Sequence, residues 1–286
     1  MTFHVPTRLA GNCDTPESHA WLARLPDLVR DLRDRWSLTI GTPFDGEDVT
    51  ASWVAPVVGA DGRAAVLKLG LPHMEGEHEI DGLRFWDGDS TVRLIEADGE
   101  VNAMLLERCE PGTALRTLPE SEQDEVIAGL LRRLWRAPPA GHPFRPLSTM
   151  LEHWRDETLE DADRWPDPGL VREGLRLFEE LPRSSTTEVL LATDLHAGNV
   201  LRAQREPWLV IDPKPFVGDP AYDATQHLLN CKDRLRADPG GLVQRFADLL
   251  DLDIDRVRLW MFARSAAESR DSWADGSITL ARALAP

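Results

Sequence analysis

Lysine is nearly missing from this 286-residue chain: Lys68, Lys214 and Lys232 are the only three, and arginine supplies the rest of its 32 basic residues. Against these stand 49 acidic residues, leaving a formal net charge of −17 and a sequence pI near 4.9. Such a surface repels a phosphate backbone, which argues against a nucleic-acid partner. It attracts a cationic small molecule, and it serves plain solubility equally well. Cysteine is scarce too. Cys13, Cys109 and Cys231 are odd in number and widely spaced, a pattern of neither a disulfide framework nor a metal site, and reduced thiols in a cytoplasmic protein are expected. No apolar run approaches the ~20 residues that span a bilayer, and the N-terminus has no charged-then-apolar leader, so no membrane partner is expected. Internal repeats and low-complexity tracts are also absent.

What the chain does have is concentrated between residues 190 and 223. Asp194 is followed five residues later by Asn199, and Asp212 ends the apolar run Trp208-Leu-Val-Ile211. This arrangement fits the D-x-x-x-x-N loop and second metal ligand of kinase-type phosphoryl transfer. That reaction asks little covalent chemistry of the protein. It needs a carboxylate to orient, or take the proton of, the attacking hydroxyl, and hard oxygen donors to hold Mg²⁺ against phosphates. Asp194 is the candidate catalytic residue, and Asn199 and Asp212 are the candidate metal ligands. Gly198 lets the intervening loop turn without a Cβ penalty. Each residue alone would read as an ordinary turn former; the three together favour the site.

The stretch Asp-Leu-His-Ala-Gly-Asn (194–199) resembles the H-G-D-x-H-x-G-N motif of the aminoglycoside phosphotransferase family. Glu-Pro-Trp-Leu-Val-Ile-Asp-Pro-Lys-Pro (206–215) is similar to the branch of streptomycin 6-kinases and hydroxyurea phosphotransferases, in which Asp-Pro-Lys replaces the kinase Asp-Phe-Gly. The resemblance implies an α+β, bilobal protein-kinase-like fold, with a small antiparallel-sheet N-lobe over 1–108 and a mostly helical C-lobe over 109–286. It also implies ATP and Mg²⁺ as cofactors, and the hydroxyl of an aminoglycoside or of hydroxyurea as acceptor. A metabolic amino-sugar kinase and a non-catalytic pseudokinase are the alternatives. One departure stands out: the family's His-Gly before the catalytic Asp reads Ala192-Thr193, which bears on loop rigidity more than on chemistry.

In chain order, residues 1–15 show no pattern and are expected as a loose arm. Trp21, Leu22, Leu25, Leu28, Val29, Leu32 and Trp36 recur at helical spacing. Strands are expected at 49–58 and 64–69, joined by a turn at Ala60-Asp-Gly62, with Pro56 marking an edge or bulge. A helix over 74–86 and a hairpin over 92–107 follow. This order matches a kinase N-lobe, so Lys68 would bind the ATP phosphates, held by Glu79, with Glu75 and Glu77 as rivals. No G-x-G-x-x-G lies between the first strands, which leaves 43–50, with Gly46, as the phosphate-covering loop. Backbone groups of Glu107 and Cys109 would meet the adenine edge, by analogy alone.

Beyond Thr113 the pattern is helical: 120–135, 150–165, 170–181, 224–231, 242–250 and 254–270. Lys214 reads as a phosphate contact or a supporting salt bridge, and His196 as a loop histidine. Asp219 and Asp223 are expected to brace the catalytic loop. For a cationic acceptor, Asp156, Glu157, Glu268 and Asp271 are candidate carboxylates, each with a solvated acidic face as the competing reading. A monomer or weak homodimer is expected.

Overall fold

Alternating burial along one hairpin builds the first half of the molecule. In β2 (Ser52–Val58) and β3 (Ala64–Gly70), Trp53, Ala55 and Val57 lie opposite Leu69, Leu67 and Ala65, all of them buried. These side chains share one sheet face because strand residues alternate sides. The computed structural model describes residues 3–46, 49–268 and 276–286. They form two compact units, Met1–Thr113 with Leu201–Ile211, and Ala114–Val200 with Asp212–Pro286.

In the first unit, β1 (Thr39–Ile40), β4 (Leu94–Asp98) and β5 (Ala103–Glu107) complete a five-stranded antiparallel sheet of order β1-β2-β3-β5-β4. Leu25, Val29 and Leu32 of α2 (Pro16–Arg35) join the core on one face. On the other, Ile80 and Leu83 of α3 (Glu79–Trp86) pack with Met104, Leu106 and Leu209. Pro56 sits inside β2, yet β1 is so short that its pairing stops at Ile40↔Val57. Gly41 N–H donates to the Pro56 carbonyl at 2.8 Å, and the proline nitrogen, which has no hydrogen to give, faces the same edge just past the end of β1.

The N-terminal segment is not a loose arm. Thr7–Asn12 forms α1, Leu9 is fully buried, and the Trp53 indole donates to the His4 carbonyl at 3.1 Å. The expected helix over 74–86 divides into a 3-10 turn, Met74–Gly76, and α3. Residues 201–211 return to this unit through β7 (Val200–Arg202) and β8 (Trp208–Val210). Arg205 secures them, donating to Glu107 Oε1 at 3.0 Å and to the carbonyls of Gly88 and Thr91 at 2.8 Å each.

The second unit is helical apart from β6 (Val189–Leu191), paired antiparallel with β9 (Phe216–Gly218). Its helices are α4 (Glu120–Leu134), α5 (Leu147–Glu160), α6 (Pro168–Arg183), α7 (Pro220–Asn230), α8 (Lys232–Ala237), α9 (Pro239–Leu250), α10 (Ile254–Ala267) and α11 (Ser277–Leu284). α10 is its centre: Trp260, Met261, Phe262, Ala263, Ala266 and Ala267 are all fully buried, so its C-terminal half is enclosed by its neighbours although Arg264 and Ser265 lie within it. Gly174 lets α6 approach it closely, since a Cβ there would come within 2.9 Å of the Ala267 Cβ. α5 ends earlier than its sequence pattern implies, giving way to a 3-10 turn at Ala162–Arg164; Asp167 then caps α6 through the N–H groups of Gly169 and Leu170, with Pro168 at its first turn. No helix among the described residues is long and apolar enough to cross a membrane.

Asp124 of α4 ties four helices together while fully buried. It accepts from Arg234 at 3.0 and 2.7 Å and from Arg245 at 3.3 Å, and it lies 2.9 Å from His227 Nε2. Burial alone would raise its pKa, but the hydrogen bonds from His227 and Arg234 overcome this and hold it at about 2, against an ordinary 3.8. A depressed folded-state pKa gives stability that is full above the unfolded value and is lost as pH falls through the folded one. Urea unfolding between pH 5 and pH 2 should therefore show wild type losing about 2 kcal/mol more than Asp124→Asn; parallel pH curves would refute this role.

Candidate active site

The loop after β6 is held from below by one buried carboxylate. Asp223 of α7 accepts the backbone N–H of Thr193 at 2.7 Å and of Ala192 at 2.9 Å, and the Trp135 indole at 3.0 Å. Burial pushes the Asp223 carboxyl up to about 6, with these three donors and the Arg264 charge pulling the other way. Thr193 adopts a left-handed φ of 40°, where a β-branched residue is strained. Its hydroxyl donates to the Lys214 carbonyl at 2.7 Å, and the Lys214 N–H donates to the Ala192 carbonyl at 2.9 Å. Ala192-Thr193 thus gives up a glycine's freedom but adds a side-chain bond that glycine cannot make. Asp219 does not touch this loop. It caps α7 through Ala221 N–H and accepts from Trp260 Nε1 at 2.6 Å and from Arg256 Nε.

Both oxygens of the Asp194 carboxylate have donors. Oδ2 accepts from Lys214 Nζ at 2.7 Å, and Oδ1 from Gln226 Nε2 at 2.8 Å. Asn199 Nδ2 donates to the Asp194 carbonyl at 3.0 Å and lies 3.4 Å from Oδ2. With its amide nitrogen used this way, Asn199 has its oxygen left for a cation. His196 closes the loop by accepting the Gly198 N–H at Nδ1, 3.0 Å away, and its Nε2 lies 4.0 Å from Asp194 Oδ1. Asp212 enters the Asp-Pro-Lys segment with φ 53°, a conformation that aspartate tolerates better than most residues. It is joined to Asp194 through Lys214, two residues on.

In the first unit, Lys68 Nζ lies 2.6 Å from each Glu79 oxygen, and both side chains are buried. The sheet explains the pairing. Lys68 alternates with Leu67 and Leu69, so it leaves the α2 core and faces α3, whose first residue is Glu79. The Glu107 side chain accepts from Arg205 and from Arg93 N–H, and its own N–H donates to the Arg93 carbonyl at 2.9 Å. Burial pushes the Cys109 thiol up to about 11, so it is no nucleophile at neutral pH.

A cavity of about 820 Å³ in the second unit is lined by His196, Gln226, Asn230, Lys232, Arg264 and Glu268, among others. Of the candidate acceptor carboxylates among the described residues, Glu268 reaches it, and Arg264 Nε is 3.0 Å from Glu268 Oε2. Asp156 is exposed beside Arg155, and Glu157 lies 3.3 Å from His153; neither lines the cavity. Asp271 lies outside the described residues.

Residues 35–276 match the family of aminoglycoside/hydroxyurea antibiotic resistance kinases. The streptomycin 6-kinase of Streptomyces glaucescens is 40% identical over 94% of this chain and 92% of its own length. The chain belongs to this family. It is thus a small-molecule phosphotransferase, and a nucleotide is its co-substrate. The hydroxyurea phosphotransferase of Kitasatospora aureofaciens is 37% identical over 90% of this chain and 75% of its own. Among solved structures, the choline kinase of Streptococcus pneumoniae aligns with a TM-score of 0.63 over 91% of this chain and 97% of its own, at 10% identity. That likeness establishes the protein-kinase-like fold.

Gln226 and Arg264 carry no sequence signal, because a glutamine and an arginine on amphipathic helices read as solvent-facing positions. The Lys68–Glu79 pair makes the sharper stability test. Removing one partner of a buried ion pair strands the other charge. Glu79→Ala should cost about 3–5 kcal/mol by urea denaturation, and restoring Glu79 in the Lys68→Met background should recover much less. Additive effects of the two substitutions would contradict a coupled pair.

Proposed function

We propose that this kinase transfers the γ-phosphoryl group of ATP to a hydroxyl of a streptomycin-like aminoglycoside, with Mg²⁺ as the divalent cation. The observation that carries this reading is the Asp194 carboxylate, clamped between Lys214 and Gln226 beside Asn199. A carboxylate held at both oxygens presents a fixed direction to an incoming hydroxyl, and positioning is most of what phosphoryl transfer asks of a protein. Asp194 orients that hydroxyl and accepts its proton as the acceptor oxygen bonds to phosphorus. The bond from phosphorus to the oxygen bridging the β and γ phosphates breaks, and ADP leaves with that electron pair. Lys68, oriented by Glu79, binds the α and β phosphates. Since the Glu107 N–H is already bonded to Arg93, adenine contacts fall to the Glu107 carbonyl and the Cys109 backbone.

The donor set suits Mg²⁺: one carboxylate, Asp212, and one amide oxygen, Asn199, with phosphates and water completing the shell. When bound, the ion neutralises phosphate charge. Asn199 is oriented for this by its own bond to the Asp194 carbonyl.

The acceptor occupies the cavity beside Gln226. Its volume of about 820 Å³ is within the range of drug-sized ligand sites, far beyond what hydroxyurea would fill, which favours a polyhydroxylated acceptor. Glu268 offers that acceptor little net negative charge, because Arg264 neutralises it. Hydroxyl recognition by Asn230, Ser277 and Thr279 then outweighs charge attraction.

ADP release from ATP and Mg²⁺, measured over streptomycin, other aminoglycosides, amino sugars and hydroxyurea, tests the reading. Turnover should be greatest with streptomycin-like acceptors. Asp194→Ala should lower kcat by roughly 10²- to 10⁴-fold, with little change in ATP affinity. Tight ATP binding without acceptor-stimulated turnover across the whole panel would overturn it in favour of a pseudokinase.

A further inference from the structure

Gln226 stands between two charges that it can satisfy in only one orientation. Arg264 donates from Nη2 to Gln226 Oε1 at 2.9 Å. A guanidinium has no acceptor, so the amide oxygen must face Arg264 and the amide nitrogen must face Asp194. There it donates to Oδ1 at 2.8 Å. Arg264 is itself immobile: it is 4% exposed, donates to Thr225 Oγ1 at 2.8 Å, pairs with Glu268, and lies 5.0 Å over the Tyr222 ring. A buried guanidinium held on four sides makes a fixed reference for the amide it contacts.

We propose that Gln226 is a positioning residue for the catalytic step: oriented by Arg264, it fixes the rotamer of Asp194 by donating to Oδ1, opposite Lys214 on Oδ2. This rests on the phosphotransferase role of Asp194 proposed above. The groups facing Asp194 divide the work. Lys214 supplies charge, Asn199 holds the backbone, His196 stays 4.0 Å away, and Gln226 sets the direction of the oxygen that would meet the acceptor. Without it, a carboxylate anchored on one oxygen can swing about the Lys214 contact, and a misplacement of about 1 Å costs on the order of 10²-fold in rate.

Two variants separate this from a purely structural role. Gln226→Glu keeps length and shape and adds an ion pair to Arg264, but it replaces the donor to Asp194 with a carboxylate oxygen that repels it. Gln226→Leu removes both bonds. Both should lose roughly 10- to 100-fold in kcat while KM for ATP and for the acceptor change little. Wild-type kcat in Gln226→Glu, or a rise in acceptor KM at unchanged kcat, overturns the proposal while leaving the kinase reading intact. If wild type turns over no acceptor, or if Asp194→Ala leaves turnover unchanged, the kinase reading falls and this proposal falls with it.

Discussion

The Asp194 carboxylate, which we propose orients the acceptor hydroxyl, is held in one direction by bonds at both oxygens, and much of the second unit supports those bonds. One turn of α7 supplies three bonds to the loop from two side chains. Asp223 and Gln226 are three residues apart and so share a helix face; the first holds the loop backbone and the second holds the carboxylate. α10 then secures α7 along its length. Arg256 and Trp260 bond Asp219 at the N-terminal cap, and Arg264, one further turn along, bonds Thr225 and Gln226. The spacing of 256, 260 and 264 places all three on one face of the helix.

Read along the contacts, the charges alternate: Glu268, Arg264, the neutral Gln226, Asp194, Lys214. Each buried charge has a partner of opposite sign or an oriented dipole, the condition under which burial is tolerable. Such pairs add little net stability compared with apolar packing, and breaking one is costly because it strands its partner. Specificity of geometry is the gain. The same logic applies to Lys68 and Glu79. In a chain with three lysines, two are committed to buried or half-buried carboxylates.

The strained φ of Thr193 fits this picture. A residue held at 40° in a position suited to glycine persists only where its surroundings over-determine it. Here two backbone bonds to Asp223 and a hydroxyl bond to Lys214 do so. The substitution of Ala192-Thr193 for His-Gly therefore replaces one way of stiffening the loop with another.

Features that depend on a few neighbouring residues could be read before any fold was known. The Asp194–Asn199 spacing is a property of one loop. α2 declares itself through a repeat of three and four residues, and the β2–β3 hairpin through alternation and a turn at Gly62. Lys68 betrayed its importance by interrupting an apolar strand. The tertiary structure alone decided which of three glutamates faces Lys68, that residues 201–211 belong with the first unit, and that α1 packs under Trp53. It alone brought Gln226 to Asp194 across 32 residues and Arg264 to Gln226 across 38. The reason is physical: periodicity reports which side of an element is apolar, whereas a hydrogen bond between elements depends on how those sides are packed, and no local pattern encodes the distance between them.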